Sequence, residues 1–146
     1  MEKRIDILAT QPLAGKALLG LETYLAGTQL SKTHKELIKI RASQINGCAF
    51  CIDMHTKDAL KHGETAQRLF LLNAWKETDL FTPEEKVLLA ITEEVTLIQQ
   101  QGLTEQTYQQ AKAIFDESYL AQLIMAVIAI NAWNRIAIST HKAVPR

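Results

Sequence analysis

Cys48 and Cys51 are the only cysteines in the sequence, and His55 follows the second by four residues. Thiols at this spacing can close and reopen a disulfide, and a histidine one helical turn away can take a proton from one of them. The stretch Asn46-Gly47-Cys48-Ala49-Phe50-Cys51-Ile52-Asp53-Met54-His55 therefore carries the clearest chemistry in the chain. If Cys48 opens a helix, residues i and i+3 share a face roughly 5–6 Å apart, within the Cα separation that a disulfide spans. The partial positive charge at the helix N-terminus favours a thiolate. His55 lies at i+4 from Cys51 and i+7 from Cys48, so all three side chains form one stripe. It can serve as base toward Cys51 directly, or toward Cys48 through water. Gly47 leaves room for a small substrate or partner to approach.

Such a stripe needs helices to hold it, and the sequence reads as helix after helix. Pro12 suits the first turn of a helix running to about Leu25, stopped near Gly27. Thr33 is the expected N-cap of a second helix, with Glu36 in capping-box position and Leu37, Ile40 and Ile45 on its apolar stripe. A third runs from near Cys48 to His62-Gly63, and a short fourth from Glu64 to about Lys76. Thr82-Pro83-Glu84-Glu85 is a clear start signal for a helix that Gly102 is expected to end. Thr104 is expected to cap the next, and Ser118 the last, from Tyr119 to about Ser139. No β alternation competes with this pattern. The expectation is one all-α domain over residues 1–146, with six to seven helices. The last helix is apolar on most of its circumference, which suggests burial against another subunit.

The 146 residues suffice for a real core, and Lys+Arg balance Asp+Glu at 16 each. A net charge of zero gives no field to attract nucleic acid or anionic lipid. The apolar run Leu123–Ile130 is too short to span a bilayer, and the N-terminal stretch Met1–Asp6 lacks a signal-peptide h-region. The cytoplasm is the expected compartment. There a close cysteine pair is redox-active or metal-binding more often than a static staple.

The stretch from Glu36 to His55 resembles the core of the AhpD-like alkylhydroperoxidases, within the carboxymuconolactone decarboxylase superfamily. The family pattern places a Glu twelve residues before a Cys-x-x-Cys and a His four residues after it; Glu36, Cys48, Cys51 and His55 fall on it without a gap. The preceding Asn46-Gly47 and the tail Asn131-Ala132-Trp133-Asn134-Arg135 are also similar to family segments. The resemblance implies a helical fold assembled into a homotrimer or homohexamer. It also implies a thiol-dependent peroxidase or disulfide oxidoreductase cycle, with no metal or organic cofactor. One thiolate would attack a peroxide and the other resolve the sulfenic acid to a disulfide. An external dithiol or protein partner would then reduce it. Glu36 and His55 would move the protons. Proximity to His55 favours Cys51 as the attacking thiol, and the helix-end position of Cys48 argues the other way. Some family members carry a His before the second Cys, where this chain has Phe50. That substitution makes the approach to the thiols more apolar and weighs against fast peroxidase turnover.

Other readings attach to the same residues. Cys48, Cys51 and His55 with His62 or His34 could ligate zinc, although structural zinc sites draw ligand pairs from two separated segments. An oligomeric interaction protein is a further alternative. Lactone decarboxylation fits less well, because the superfamily's decarboxylases lack the cysteine pair. Glu36 has a structural explanation of its own in a Thr33 capping box, and one carboxylate cannot cap and relay at once. His34, His62 and His141 read as surface or cap-adjacent, and Trp133, Asn134 and Arg135 as packing and interface groups.

Overall fold

Helix starts in the computed structural model follow the short polar side chains that can cap them. The structure describes Glu2 and residues 4–145. Among these residues it contains eight α-helices and a 3-10 segment, with no strand. They are α1 (Ile7–Thr10), α2 (Pro12–Ala26), α3 (Lys32–Asn46), α4 (Ala49–Lys61), α5 (Ala66–Leu71), the 3-10 segment Leu72–Glu77, α6 (Pro83–Thr96), α7 (Glu105–Ile114) and α8 (Glu117–Ser139). The all-α expectation holds. The count exceeds six to seven because α1 is a single turn, capped by Asp6 and too short to show apolar periodicity.

Several boundaries fall where the sequence placed them. Pro12 opens α2, Gly27 closes it, and the Thr82/Glu85 capping box is formed in full at α6. Others differ. Ser31, not Thr33, caps α3 by accepting the His34 N–H, and Asp116, not Ser118, caps α8. The helix expected over Glu64–Lys76 splits into α5 and the 3-10 segment, with Ala74 outside helical geometry. Helix α6 ends at Thr96, well before Gly102.

Helix α3 lies at the centre, against α4, α6, α8 and the 3-10 segment. Its Leu37, Ile38, Ile40 and Ala42 are buried with Leu89 of α6 and Val127 of α8, while Ile45 is only half-buried. Burying each such side chain contributes roughly 1.5–3 kcal/mol relative to exposure. Helix α8 touches α2, α3, α4, α6 and α7. By length and hydropathy it is apolar enough to cross a membrane, yet core helices pass the same test, and its contacts are those of a core helix. The eight-residue run read from the sequence thus understates the 23-residue apolar helix. Ile128 and Ile138 on α8 remain 45% and 43% exposed, so the single chain does not cover its whole circumference.

Two polar clusters fix the central helices. Glu93 of α6 accepts from Arg41 Nε (2.9 Å), Trp75 Nε1 (2.8 Å) and Lys76 Nζ (3.0 Å). Burial pushes the Glu93 carboxyl up, but these three donors outweigh it and hold it below the usual glutamate value. A depressed folded-state value gives stability that is full above the unfolded value and is lost as pH falls through the folded one. Thermal midpoints should therefore stay level near neutrality and drop in acid. Glu93→Gln should lose about 2 kcal/mol at pH 7, with the gap to wild type closing on acidification, as pH-dependent calorimetry would register.

The second cluster ties α3 to α8 directly before the cysteines. Asn134, fully buried, donates to Ser43 Oγ (2.9 Å) and accepts from Asn46 Nδ2 (2.9 Å). Asn46 Nδ2 also reaches Asn131 Oδ1 at 3.0 Å, and Arg135 donates to the same oxygen at 2.9 Å. Packing is thus the visible role of the Asn131–Arg135 tail, with Arg135 exposed and turned back on its own helix. Asn134→Ala would leave Asn46 and Ser43 short of partners in a buried site. It should cost about 2–3 kcal/mol, read as a lowered urea midpoint with unchanged m-value.

Candidate active site

Gly47 ends α3 in the left-handed region, at φ 72°, and turns the chain straight into α4. A Cβ there would meet no atom within 4 Å, so glycine is needed for its backbone angle and the space beside it is open. The Cys48 N–H donates to Ser43 O at 2.9 Å, and Cys48 becomes the N-cap residue of α4. Among the described α-helix N-cap residues, only it and Gln11 make no side-chain capping bond. Its sulfur instead joins that of Cys51 in a disulfide, with the Cα atoms 5.4 Å apart. Both cysteines are at most 2% exposed.

One turn further along α4, His55 is also buried. Its Nδ1 lies 3.2 Å from Glu36 Oε2, so α3 and α4 bring together two of the residues that the sequence pattern paired. The atoms are in ion-pair range, but their alignment falls short of a well-directed hydrogen bond, and neither has another hydrogen-bond partner among the described residues. We treat the contact as electrostatic. Lys39 Nζ sits 3.4 Å from the other oxygen, Oε1. Burial pushes the Glu36 carboxyl up, while His55 and Lys39 together overcome that and hold it below the usual value. Glu36 is therefore a carboxylate at neutral pH. With Ser31 as the N-cap of α3, Glu36 is no capping-box residue, so the competing structural duty disappears.

An apolar cavity of about 290 Å³ opens beside this group. Cys51 and His55 line it, with α2 and α8 supplying most of the remaining wall, including Leu25, Ile130 and Trp133. Trp133 Nε1 donates to Glu22 Oε1 at 2.9 Å, which joins α8 to α2 across the wall. Glu36 is set behind His55 and borders a separate, much smaller space with His62 at its edge. Cys48 lines a third depression, on the side of Gly47, Ala137 and His141. Phe50 borders both the main cavity and that depression, and so stands between the approaches to the two sulfurs.

The four residues marked by the sequence pattern thus form two contacting pairs, Cys48 with Cys51 and Glu36 with His55, joined where Cys51 and His55 share the cavity wall. The other histidines do not join them. His34 is half-buried and shares a 2.7 Å hydrogen bond with Tyr119, His62 is exposed at the end of α4, and His141 contacts Glu2 O. His34 was expected at the surface or beside a cap; its backbone N–H does meet the Ser31 cap of α3, and its ring packs edge-on against Phe115 and Tyr119. Neither His34 nor His62 supplies the fourth ligand a zinc site would need, and the described residues hold no group of three or more metal-ligand side chains. Asp53 pairs with Lys57 on the outer side of α4. Sequence reasoning missed Lys39, although its i+3 spacing from Glu36 was a usable signal. It also missed Glu22 and Lys142, which reach the cavity from segments far away along the chain.

Residues 12–94 match the carboxymuconolactone decarboxylase family, and the chain belongs to that family. The uncharacterized protein YdfG of Bacillus subtilis (strain 168) is 42% identical over 139 residues, 95% of each chain. A crystal structure from Agrobacterium tumefaciens, of a protein of unknown function likened to the antioxidant defence protein AhpD, superposes with a TM-score of 0.95 at 36% identity, covering 99% of both chains. The alkylhydroperoxidase AhpD core of an uncharacterized peroxidase-related protein from Ralstonia eutropha JMP134 gives 0.82 at 16% identity, covering 94% of this chain and 74% of that one, a likeness of fold alone. The fold is AhpD-like.

Proposed function

We propose that this chain is a thiol-dependent peroxidase and disulfide oxidoreductase in which Cys48 and Cys51 cycle between dithiol and disulfide. The observation that carries this reading is the disulfide itself, seated with Cys51 and His55 on the wall of an apolar cavity. In the reduced state the Cys51 thiolate attacks the terminal peroxide oxygen. The O–O bond breaks, Cys51 becomes a sulfenic acid, and the alkoxide takes a proton and leaves as an alcohol. Cys48 then displaces the sulfenic oxygen as water and closes the disulfide. A dithiol or a protein disulfide reductant restores both thiols by exchange and is itself oxidised.

Cys51 is the attacking sulfur in this scheme because it shares the cavity with His55, while Cys48 faces the separate depression. The uncapped start of α4 helps to hold the thiolate. His55 takes the Cys51 proton and returns it to the departing oxygen; the Glu36 carboxylate, close to Nδ1, orients the ring. We take the active form to be a homotrimer or homohexamer, since Leu13, Leu19, Ile128 and Ile138 leave apolar surface uncovered. Light scattering that returned a monomer mass would remove that part of the reading.

The test is peroxide consumption with dihydrolipoamide or a thioredoxin-type donor. Turnover that needs the donor and both cysteines supports the reading. Equal rates for wild type, Cys48→Ser and Cys51→Ser would end it.

A further inference from the structure

We infer that the cavity selects organic hydroperoxides that carry a carboxylate, with Lys142 at its mouth receiving that anionic end. The inference rests on the peroxidase reading and adds the substrate class. The cavity volume of about 290 Å³ is far more than hydrogen peroxide fills. Its wall is aliphatic and aromatic, so a hydrocarbon body gains by entering.

Three other charged or titratable side chains reach the cavity, and each has an internal contact. Glu22 accepts from Trp133, Lys39 pairs with Glu36, and His55 adjoins Glu36. Lys142 is the cation on the wall without a carboxylate partner among the described residues, and it is exposed. Its position is built rather than incidental. After α8 the chain turns through His141 at φ 53°, in the left-handed region, and the Lys142 N–H returns to Ala137 O at 2.9 Å. This closure sets Lys142 Nζ over the Phe50 ring, 4.4 Å from its centroid. Phe50 thus holds the ammonium between the two approaches to the disulfide.

A substrate with its hydroperoxide on Cys51 and its carboxylate on Lys142 would bridge the cavity. The step balances as before: the carboxylate-bearing hydroperoxide is reduced to the corresponding hydroxy acid, Cys51 is oxidised to a sulfenic acid, and Cys48 closes the disulfide with loss of water.

The experiment measures rate constants for disulfide formation in the reduced protein. The oxidants are hydrogen peroxide, cumene hydroperoxide, and a medium-chain fatty-acid hydroperoxide with its methyl ester. Wild type should prefer the acid over the ester by about fivefold, the scale of one partly exposed ion pair. Lys142→Gln should abolish that preference, Lys142→Glu should reverse it, and Phe50→Leu should weaken it. For each variant the acid and ester rates are read relative to its own rate with hydrogen peroxide. Equal acid and ester rates in wild type, or a preference that survives in Lys142→Gln, would overturn the inference while leaving the peroxidase reading standing. If no peroxide oxidises the pair, both fall.

Discussion

Replacing Cys51 by serine is expected to reduce donor-dependent peroxide consumption to background, a loss of at least about a thousandfold, because the remaining thiol, Cys48, faces the separate depression away from the cavity and His55. Replacing Cys48 should give a different defect. Cys51 would still attack once, so one equivalent of peroxide is consumed per chain and a sulfenic acid accumulates, trappable by a cyclic diketone. Turnover would then stop, because nothing nearby resolves the intermediate. This asymmetry follows from the lining of the cavity, which takes in Cys51 with His55 and leaves Cys48 to the other side of Phe50. A reversed pattern, with the trapped acid on Cys48 in Cys51→Ser, would exchange the two roles while preserving the cycle.

The second large effect is expected at His55. His55→Ala should slow oxidation of the reduced pair by about a hundredfold, in the usual range for losing a positioned acid–base group. Glu36→Gln should be milder, about tenfold, because it keeps the shape and removes only the charge beside His55 Nδ1. Both should leave the disulfide able to form under a chemical oxidant that needs no proton relay. Stopped-flow oxidation as a function of pH is the check. A Glu36→Gln profile superimposable on wild type would reduce the 3.2 Å contact with His55 to a structural one.

The Cys48–Cys51–His55 stripe was legible because it is local. Cys48, Cys51 and His55 sit within one helix start, where spacing alone fixes which side chains meet. Glu36 was harder. Thr33 and Ser31 both suit an N-cap, and the choice between them decides whether Glu36 caps or turns inward. Ser31 won, leaving Glu36 in the second turn of α3, facing α4. The cavity was not legible. Its wall joins Leu8 and Leu25 to Ile130, Ile136 and Lys142, groups more than 100 residues apart in the chain, and no periodicity reports such a meeting. The same holds for the Asn46–Asn131–Asn134 cluster, whose residues could be singled out in sequence but not paired. Helix ends governed by competing polar residues moved by two residues, as at Thr33 and Ser118, without disturbing the helix order.

In the proposed cycle Cys48 and Cys51 exchange electrons with peroxide as a pair. The most direct test is a thiol count after rapid mixing of the fully reduced protein with one equivalent of an organic hydroperoxide. Both thiols should disappear together, one alcohol should be released per disulfide formed, and a dithiol should restore both. Two thiols that persist after the hydroperoxide has had time to react would contradict the cycle.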